Sequence, residues 1–293
     1  MRQIAVFLFL TGVIVTALSF LGVITPVGDS LAVFRPLLAA FAFLLALWAW
    51  FAGWHMLRRA AVLLALVSLI SVAWHFVPRP LGAGPTLAVY QKNMLFQNPD
   101  WRPLSQDILG QETDIVTLQE VSDRNFPILN DLADTYPTQH FCPFSSVGGV
   151  AVLSKLPATG VPPICNREDG LAAIQVVGPN GPLWLASLHL HWPWPHRQHE
   201  QIMRLSGWFA SLQAPLILGG DFNMIPWSHL LRNVQSQTNT DLAGPAQFTL
   251  WLTQDHNIYP IAIDHILAPG GGSLSRRPLL GSDHYGLVAL AKL

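Results

Sequence analysis

Charged residues are almost absent from the first 77 positions of this 293-residue chain. Three uncharged apolar stretches fill most of that region, at about 4–24, 36–57 and 60–77. Each approaches the roughly 20 residues that an α-helix needs to cross the hydrocarbon core of a bilayer. A buried hairpin of core helices is an alternative for the second and third stretches, but the 22 uncharged residues of the second would be hydrophobic on every face. We therefore expect a membrane region with three transmembrane helices over residues 1–78.

The few charges in this region set its expected orientation. Arg2 precedes the first stretch, and Arg58 and Arg59 lie between the second and the third, where a tight turn is expected. The positive-inside rule places these arginines in the cytoplasm, so that three crossings leave the rest of the chain outside it. A cleaved secretory signal is an alternative interpretation of the first stretch, but two more apolar stretches follow at once, which favours retained helices.

Most of the charge lies beyond a short linker rich in proline and glycine, which we place at 79–85. The following residues, 86–293, hold 11 of the 16 Lys and Arg residues and 16 of the 17 Asp and Glu residues, which gives a net charge near −5. An acidic domain lacks the clustered cations with which proteins bind the phosphates of long nucleic acids. We therefore expect a single domain over 86–293 that does not bind duplex DNA strongly.

Short apolar runs bounded by turn residues dominate this domain and predict strands. They read TLAVYQKNM, DIVTLQE, GGVAVLS, LWLASLHLH, APLILGGDFN, AIDHILA and GLVALAKL. Two helices are predicted between them, around 100–111 and around 196–212, the second from the helical spacing of Ile202, Leu205, Phe209 and Leu212. Many strands with few helices indicate an α+β sandwich, in which two sheets pack on each other and helices lie outside.

Polar groups suited to metal and phosphate chemistry stand at the ends of several of these runs. GGDFN ends with Asp221 and Asn223, TLQE ends with Glu120, IDH contains Asp264, and GSDH places Asp283 and His284 before the last run. Each carboxylate taken alone fits a turn former or a solvated strand end equally well. Brought together, they are what a hard divalent cation and a phosphate ester require.

The order of these motifs resembles that of the endonuclease/exonuclease/phosphatase superfamily, whose members share the DNase I-like fold. The matching elements are KNM with Asn93, LQE with Glu120, the GVAVLSK strand, the strand that ends in His189, GGDFN, IDHIL and GSDHYG. These elements span about 88–289. The WPWP and RQHEQ sequences, which come soon after His189, look like those of the bacterial membrane-anchored branch. The resemblance implies a four-layer sandwich of two mixed sheets flanked by helices. Together with the orientation expected from the arginines, it implies a multi-pass protein of the bacterial inner membrane, with the catalytic domain on the periplasmic side.

A site for Mg²⁺ or Mn²⁺ is part of what the resemblance implies. Glu120 would be the principal ligand, and Asp283 would be a further metal or water ligand. Asn93 would lie close by and orient the metal shell or a phosphate oxygen. Mg²⁺ prefers oxygen ligands and keeps several waters, so one or two carboxylates suffice.

The remaining motif residues would act on the substrate, again by resemblance. Asp221 would position and activate the attacking water, and Asn223 would hold a phosphate oxygen. His284 would contact the scissile phosphate, and Asp264 would hold its imidazole. His189 would be the second imidazole and the candidate general acid. His191 faces the same way along a strand and remains an alternative to His189.

Cys142 and Cys165 are the two cysteines of the chain. Outside the cytoplasm they are compatible with a disulfide, but their separation in sequence does not fix the distance between their Cα atoms. No second cysteine or histidine lies at ligand spacing from either, which disfavours a zinc site.

The expected function is a membrane-anchored, metal-dependent phosphoesterase that hydrolyses a phosphodiester by direct attack of water. The tether and the acidity favour a small or lipid-borne phosphodiester as the substrate. A nuclease that acts on nucleic acid outside the cytoplasm is the alternative within this class. A scaffold that keeps the fold without the chemistry is a weaker alternative, because every motif position is filled.

Overall fold

The computed structural model describes residues 1–78, 80–212, 214–253 and 257–293. Arg79, with which the predicted linker begins, lies outside the described residues. The chain forms two compact units. The first consists of Met1–Val77, Trp192–His199 and Met224–Arg232, and the second consists of Pro78–His191, Glu200–Asn223 and Asn233–Leu293. Two short segments from the part of the sequence beyond residue 86 therefore belong to the unit of the N-terminal helices.

The first unit is built on four helices, which are α1 (Arg2–Ser19), α2 (Pro26–Ala32), α3 (Arg35–Phe51) and α4 (His55–Ala73). Among the described residues, two helical segments are long and apolar enough to cross a membrane, Arg2–Ser19 and His55–Phe76. A third is obtained if α2 and α3, which are bent by 64° relative to each other, form one broken span. The count of three transmembrane helices stays a prediction.

The break between α3 and α4 lies earlier than the sequence indicated. The second apolar stretch was expected to continue to residue 57, with Arg58 and Arg59 in the turn, and this is wrong. Gly53 adopts a left-handed φ of 73°, and the N–H of Trp54 donates to the carbonyl of Ala49 at 2.8 Å. Such a glycine ends a helix because it carries no Cβ. The two arginines consequently lie in the first two turns of α4.

Two six-stranded sheets form the second unit. The first sheet has the order β13-β14-β1-β2-β4-β3 and contains β1 (Thr86–Asn93), β2 (Ile115–Val121), β3 (Thr138–Ser145), β4 (Gly148–Ser154), β13 (Gly272–Arg277) and β14 (Gly286–Lys292). The second has the order β5-β6-β7-β8-β12-β9 and contains β5 (Ile164–Asn166), β6 (Leu171–Gly178), β7 (Gly181–His189), β8 (Leu216–Asp221), β9 (Asp241–Leu242) and β12 (Asp264–Ala268). Both sheets are mixed, since β1–β2 and β7–β8 pair in parallel and the other pairs are antiparallel. A separate hairpin joins β10 (Leu250–Thr253) to β11 (Ile258–Ile261).

The sheets pack face to face over one hydrophobic core. Val89 and Val152 of the first sheet share this core with Ile174, Leu185 and Ile217 of the second. The helices that follow α4 are α5 (Arg102–Gly110), α6 (Pro127–Asp131), α7 (Gln198–Ser211) and α8 (His229–Thr238). Helices α5 and α6 pack on the outer face of the first sheet, and α7 buries Ile202, Leu205 and Phe209 as its periodicity predicted. The predicted α+β sandwich of two mixed sheets flanked by helices is confirmed.

A disulfide between Cys142 and Cys165 joins the two sheets at one edge. Their Cα atoms lie 5.2 Å apart. Cys142 is on β3, the edge strand of the first sheet, and Cys165 is on β5, the edge strand of the second. The bond therefore closes one side of the sandwich covalently.

Candidate active site

Strand pairing in the second sheet brings three of the predicted site residues side by side. Asp221 is the last residue of β8, where it is the register partner of His189 on β7 and of Asp264 on β12. The glycines of GGDFN make this possible. A Cβ on Gly220 would collide with the carbonyl of Leu188, and a Cβ on Gly219 would collide with the hydroxyl of Thr117 in the first sheet. The two glycines therefore let β8 approach its neighbours closely enough to place Asp221 in the centre.

Glu120 is placed by a bulge at the end of β2. Its φ of 57° lies in the left-handed region, and the register with β4 shifts between Gln119 and Val121. Opposite the bulge, Gly148 has a φ of 100°, and a Cβ there would lie 2.7 Å from the carbonyl oxygen of Val121. The side chain of Asn125 donates to the carbonyl of Glu120 at 3.2 Å. A bulge of this kind turns a side chain away from the regular pleat.

Asn93 connects Glu120 with Asp221. Its Nδ2 donates to Oε1 of Glu120 and to Oδ2 of Asp221, each at 3.0 Å, and its Oδ1 accepts from the N–H of Leu95 at 3.0 Å. Phe96 N–H donates to the other oxygen of Glu120 at 2.9 Å. Burial raises the pKa of Glu120 above its usual range, against the opposing effect of these hydrogen bonds. Asn93 thus presents its N–H groups to both carboxylates and orients them.

Asn223 holds the backbone that follows Asp221. Its N–H donates to Oδ1 of Asp221 at 2.9 Å, and its Nδ2 donates to the carbonyl of Leu190 at 2.8 Å. Burial raises the pKa of Asp221 to about 8, although the neighbouring His284 lowers it. A carboxyl group with such a pKa can exchange a proton near neutrality.

His284 and Asp264 form a buried charged pair. Nδ1 of His284 lies 2.8 Å from Oδ2 of Asp264, and its Nε2 lies 3.8 Å from Oδ2 of Asp221. Burial opposes a charge on the imidazole, but the carboxylates of Asp264 and Asp221 raise the pKa of His284 to about 10. Burial likewise opposes ionisation of Asp264, but His284 and hydrogen bonds from Thr249 and Gln91 hold its pKa below the usual value. The pair is therefore an imidazolium and a carboxylate at neutral pH.

His189 has the opposite character. Its Nε2 lies 3.6 Å from Oδ2 of Asp221, and its Nδ1 is buried and has no hydrogen-bond partner among the described residues. Burial and the charge of His284 lower the pKa of His189 to about 3, so the ring is neutral. Phe144 packs edge-on against it, with ring centroids 5.7 Å apart. Of the two histidines considered for this position, His189 has its ring beside Asp221, whereas the ring of His191 packs against Phe144, with centroids 5.4 Å apart.

The loop before β14 carries Ser282 and Asp283 to the same place. Ser282 Oγ donates to the carbonyl of Asn93 at 2.8 Å and accepts from the N–H of His284 at 3.0 Å. Asp283 is partly exposed, and its charge contributes to the raised pKa of Glu120. All eight residues predicted for the site therefore lie in one connected cluster.

The chain matches the Endonuclease/Exonuclease/phosphatase family over residues 90–284. It belongs to that family. The resemblance stated from the motifs is thereby confirmed, and family membership supports a hydrolase. The comparison with curated proteins gives no match.

Solved structures of the same fold include the sphingomyelinase C of Streptomyces griseocarneus, with a TM-score of 0.52 and 18% identity over 71% of this chain and 100% of that chain. A humanized D. rerio TDP2 with 14 mutations gives a TM-score of 0.53 and 17% identity over 70% of this chain and 98% of that chain. A beta toxin variant of Staphylococcus aureus with bound magnesium ions gives a TM-score of 0.51 and 14% identity over 71% of this chain and 100% of that chain. At these identities the similarity establishes the DNase I-like fold.

The donor set of this family member suits a divalent cation. Carboxylate oxygens of Asp221 and Asp264 and a ring nitrogen of His284 lie within 4.8 Å of one another, and all three residues are buried. Because His284 is an imidazolium here, the two carboxylates are the metal-binding groups of this set. Glu120 adds a carboxylate that Asn93 and Phe96 already orient. Oxygen-rich sites with one or two carboxylates fit Mg²⁺ or Mn²⁺.

Motif matching missed the polar residues behind the site. Lys92 is fully buried and its Nζ donates to the carbonyls of Pro278, Leu279 and His284. A lysine is almost never fully buried without partners, so its position inside an apolar strand was the available signal. Gln91 and Gln119 form a second set, in which Gln91 Nε2 donates to Gln119 Oε1 at 2.7 Å and to Asp264 Oδ1 at 3.0 Å.

Proposed function

We propose that this chain is a membrane-anchored phosphodiesterase that depends on a divalent metal ion and hydrolyses its ester by direct attack of water. The observation that supports this most strongly is the position of Asp221. Its carboxylate lies within hydrogen-bond or ion-pair distance of Asn93, a neutral His189 and a charged His284. Acid–base groups with opposite protonation states beside one carboxylate are what hydrolysis by an activated water requires.

The proposed roles follow from these protonation states. Asp221, with its raised pKa, takes the proton of the attacking water, and Asn223 donates to an oxygen of the phosphate. His284 remains an imidazolium whose Nε2 donates to the scissile phosphate, while Asp264 keeps its Nδ1 hydrogen-bonded. His189, as a neutral ring, offers a hydrogen bond but no proton to the phosphate or the leaving group, and the leaving oxygen takes its proton from solvent. Donors placed on the phosphate oxygens supply most of the rate in such reactions.

Glu120 and Asp283 would hold Mg²⁺ or Mn²⁺ in this proposal, and Asn93 would orient Glu120. Such a cation, when bound, neutralises the negative charge of the phosphate and polarises its oxygens. The beta toxin of the same fold contains magnesium ions. A carboxylate that hydrogen bonds already fix in place binds a cation at a smaller entropic cost.

The apolar helices support a membrane anchor, with two or three spans. We propose a multi-pass protein of the bacterial inner membrane whose second unit faces the periplasm. The disulfide between Cys142 and Cys165 agrees with that side of the membrane, since disulfides persist in oxidising compartments.

For the substrate we propose a small or lipid-borne phosphodiester, and in particular the head-group diester of a phospholipid. Residues 86–293 carry a net charge near −5, which disfavours a long polyanion. One protein of the same fold is, by its name, a sphingomyelinase. A membrane anchor further raises the local concentration of lipid substrates over soluble ones.

The test uses the full chain in nanodiscs with Mg²⁺, assayed against bis-p-nitrophenyl phosphate, phospholipid vesicles, and single- and double-stranded oligonucleotides. We expect turnover of the small ester and of at least one phospholipid, loss of turnover on chelation, and recovery on adding Mg²⁺. Glu120→Gln and His284→Ala should each lower kcat by about 10²-fold or more. Glu168→Gln, an exposed carboxylate outside the site, is the matched control.

Three outcomes would change this conclusion. Turnover confined to the oligonucleotides would replace the proposal by the nuclease alternative. Wild-type rates equal to those of both site variants on every substrate would refute catalysis by this site. Calorimetry that finds no Mg²⁺ binding dependent on Glu120, together with no turnover, would favour a scaffold.

A further inference from the structure

The segment that follows Asn223 in the chain belongs structurally to the N-terminal helices. Met224–Arg232 forms part of the first unit, together with Met1–Val77 and Trp192–His199. Asn223 itself anchors Asp221 through its backbone N–H. A single peptide bond therefore separates the GGDFN motif from a segment that the N-terminal helices hold.

Asp29 makes the main polar contact to this segment. It is the only acidic residue among the first 77 and is 4% exposed. Its Oδ1 accepts from the N–H of His229 at 2.6 Å and its Oδ2 accepts from the N–H of Leu230 at 3.0 Å. These are the first N–H groups of α8, which have no partner within their own helix. A carboxylate there also interacts favourably with the helix dipole.

Trp227 makes a second contact with the N-terminal helices, through a hydrogen bond of its indole N–H and through apolar packing of its ring. Its indole N–H donates to the carbonyl of Ala32, the last residue of α2, at 2.8 Å. Its ring shares a buried cluster with Ile225, Val72 of α4 and the partly buried Phe76. Trp227 itself is 3% exposed. An amphipathic side chain that is this fully buried and bonded fixes its segment in position.

Two glycines allow the backbone segments around Asp29 to lie unusually close together. A Cβ on Gly22 would lie 2.9 Å from Cβ of His229, and a Cβ on Gly28 would lie 2.9 Å from the carbonyl oxygen of Leu18. The two glycines let α2 fold back against the end of α1 while Asp29 reaches α8. The end of α1 and helix α2 thus form a specific binding surface for Met224–Arg232.

We propose that Asp29 is a positioning residue of the active site, and that α2 holds Met224–Arg232 so that Asn223 and Asp221 keep their geometry. This inference rests on the proposed function. The N-terminal region then has a second role besides membrane anchoring, because its helix α2 positions residues of the active site. A displacement of about 1 Å at a reacting group is enough to lower a rate by about 10²-fold.

The test compares Asp29→Ala, Asp29→Asn and Trp227→Phe with wild type, all as full-length protein in nanodiscs. Ser71→Ala is the matched control, since Ser71 lies on α4 and its hydroxyl donates to the carbonyl of Ser68 in the same helix. The amide hydrogen-exchange rate of the 224–232 peptide reports whether the contact with Asp29 is present. The exchange rate of the peptide that contains 221–223 reports whether the site residues are affected. Turnover of bis-p-nitrophenyl phosphate gives kcat and KM.

We expect the amides of 224–232 to exchange about tenfold faster in Asp29→Ala than in wild type, with a smaller increase in Asp29→Asn, which keeps one acceptor. The amides of 221–223 should also exchange faster. kcat should fall by about tenfold in Asp29→Ala, while KM and the half-saturating Mg²⁺ concentration stay within about twofold. A role in overall stability alone would lower the amount of active protein and leave the kcat of the folded fraction unchanged.

Unchanged exchange of 224–232 in both Asp29→Ala and Trp227→Phe would show that the contact is absent and would overturn the inference. Faster exchange there with unchanged exchange of 221–223 and unchanged kcat would also overturn it. A wild type without turnover on any substrate would refute the proposed function instead. In that case faster exchange of 221–223 in Asp29→Ala would still establish the positioning role.

Discussion

His284 binds Asp264 across the two sheets through a hydrogen bond of 2.8 Å between Nδ1 and Oδ2. Asp264 begins β12 in the second sheet, while His284 lies in the loop before β14 of the first. The other oxygen of Asp264 accepts from Gln91 of β1 at 3.0 Å. One carboxylate thus fixes an imidazole and receives a hydrogen bond from the facing sheet. This arrangement keeps Nε2 of His284 directed towards Asp221.

Asp264→Asn should lower kcat by about 10²- to 10⁴-fold, because the imidazole loses both its charge partner and its fixed orientation. The pH profile should change in a defined direction. Against the effect of burial, Asp264 and Asp221 together raise the pKa of His284 to about 10, so the charged ring persists below that pH in wild type. Without the Asp264 carboxylate, the pKa of His284 falls. The alkaline limb of kcat should therefore move to lower pH.

The measurement is kcat as a function of pH for wild type and Asp264→Asn with the same small phosphodiester. Asp241→Asn is the matched control, because Asp241 is an exposed carboxylate on β9 that pairs with the far end of β12. An alkaline limb that stays in place in Asp264→Asn would contradict the assigned role of the pair.

Sequence patterns predicted most of the central strands, because these strands are apolar and end in polar residues. β8 and β12 are examples, and α7 was predicted from the spacing of its buried residues. The buried strand β6 of the second sheet was missed although its sequence is largely apolar, and so were the edge strands β3 and β13. Both are only partly buried along their length, so their residues do not form the apolar runs on which strand prediction depends.

The residues that support the site were harder to predict than those within it. Gln91 donates to Gln119 and Asp264, residues 28 and 173 positions further along the chain. Asp29 contacts the helix that begins 200 residues later. A glutamine in an apolar strand or a lone aspartate in an apolar region stands out in the sequence, but nothing local identifies its partner. Only the folded arrangement of strands and helices brings such partners together.

Gln91→Leu should reduce activity through Asp264. The substitution keeps the volume of the side chain but removes the donor to Oδ1 of Asp264 and the partner of Gln119. We expect a stability loss of about 1–3 kcal/mol from the unsatisfied acceptors and a fall in kcat of about tenfold. Kinetics of Gln91→Leu, Asp264→Asn and the double variant check this. If the effects of the two substitutions on kcat simply multiply, the proposed path through Asp264 is wrong.

Lys92→Met tests the support of the His284 loop. Met fills a similar space but cannot donate to the carbonyls of Pro278, Leu279 and His284. We expect a loss of about 3 kcal/mol in the free energy of unfolding, since buried carbonyls are left without partners. We also expect kcat to fall by about tenfold as the backbone of His284 loosens.

Lys155→Met is the matched control for this change. Lys155 also donates to a backbone carbonyl, that of Glu112 at 2.9 Å, but it is exposed. Its substitution should cost less than about 0.5 kcal/mol. Equal effects of the two lysine substitutions on thermal midpoint and on kcat would contradict a specific role for Lys92.

Removal of the disulfide should destabilise the sandwich and loosen the surroundings of His189. Cys142 and Cys165 are separated by 23 residues and join the edges of the two sheets. A loop of this length corresponds to about 3 kcal/mol of stabilisation in the chain-entropy description. Phe144, two residues after Cys142, contacts the ring of His189, so we expect kcat to decrease together with stability.

The thermal midpoint and kcat of wild type should be compared with those of the double variant Cys142→Ala/Cys165→Ser, each with and without dithiothreitol. Reductant should lower both quantities in wild type to the level of the double variant and leave the double variant unchanged. A lowered midpoint with full kcat would mean that the disulfide stabilises the sheets without affecting His189. Alkylation of both thiols would show that the reductant has opened the disulfide in wild type. An unchanged thermal midpoint under those conditions would contradict the stabilising role, because the reduced and disulfide-bonded proteins would then be equally stable.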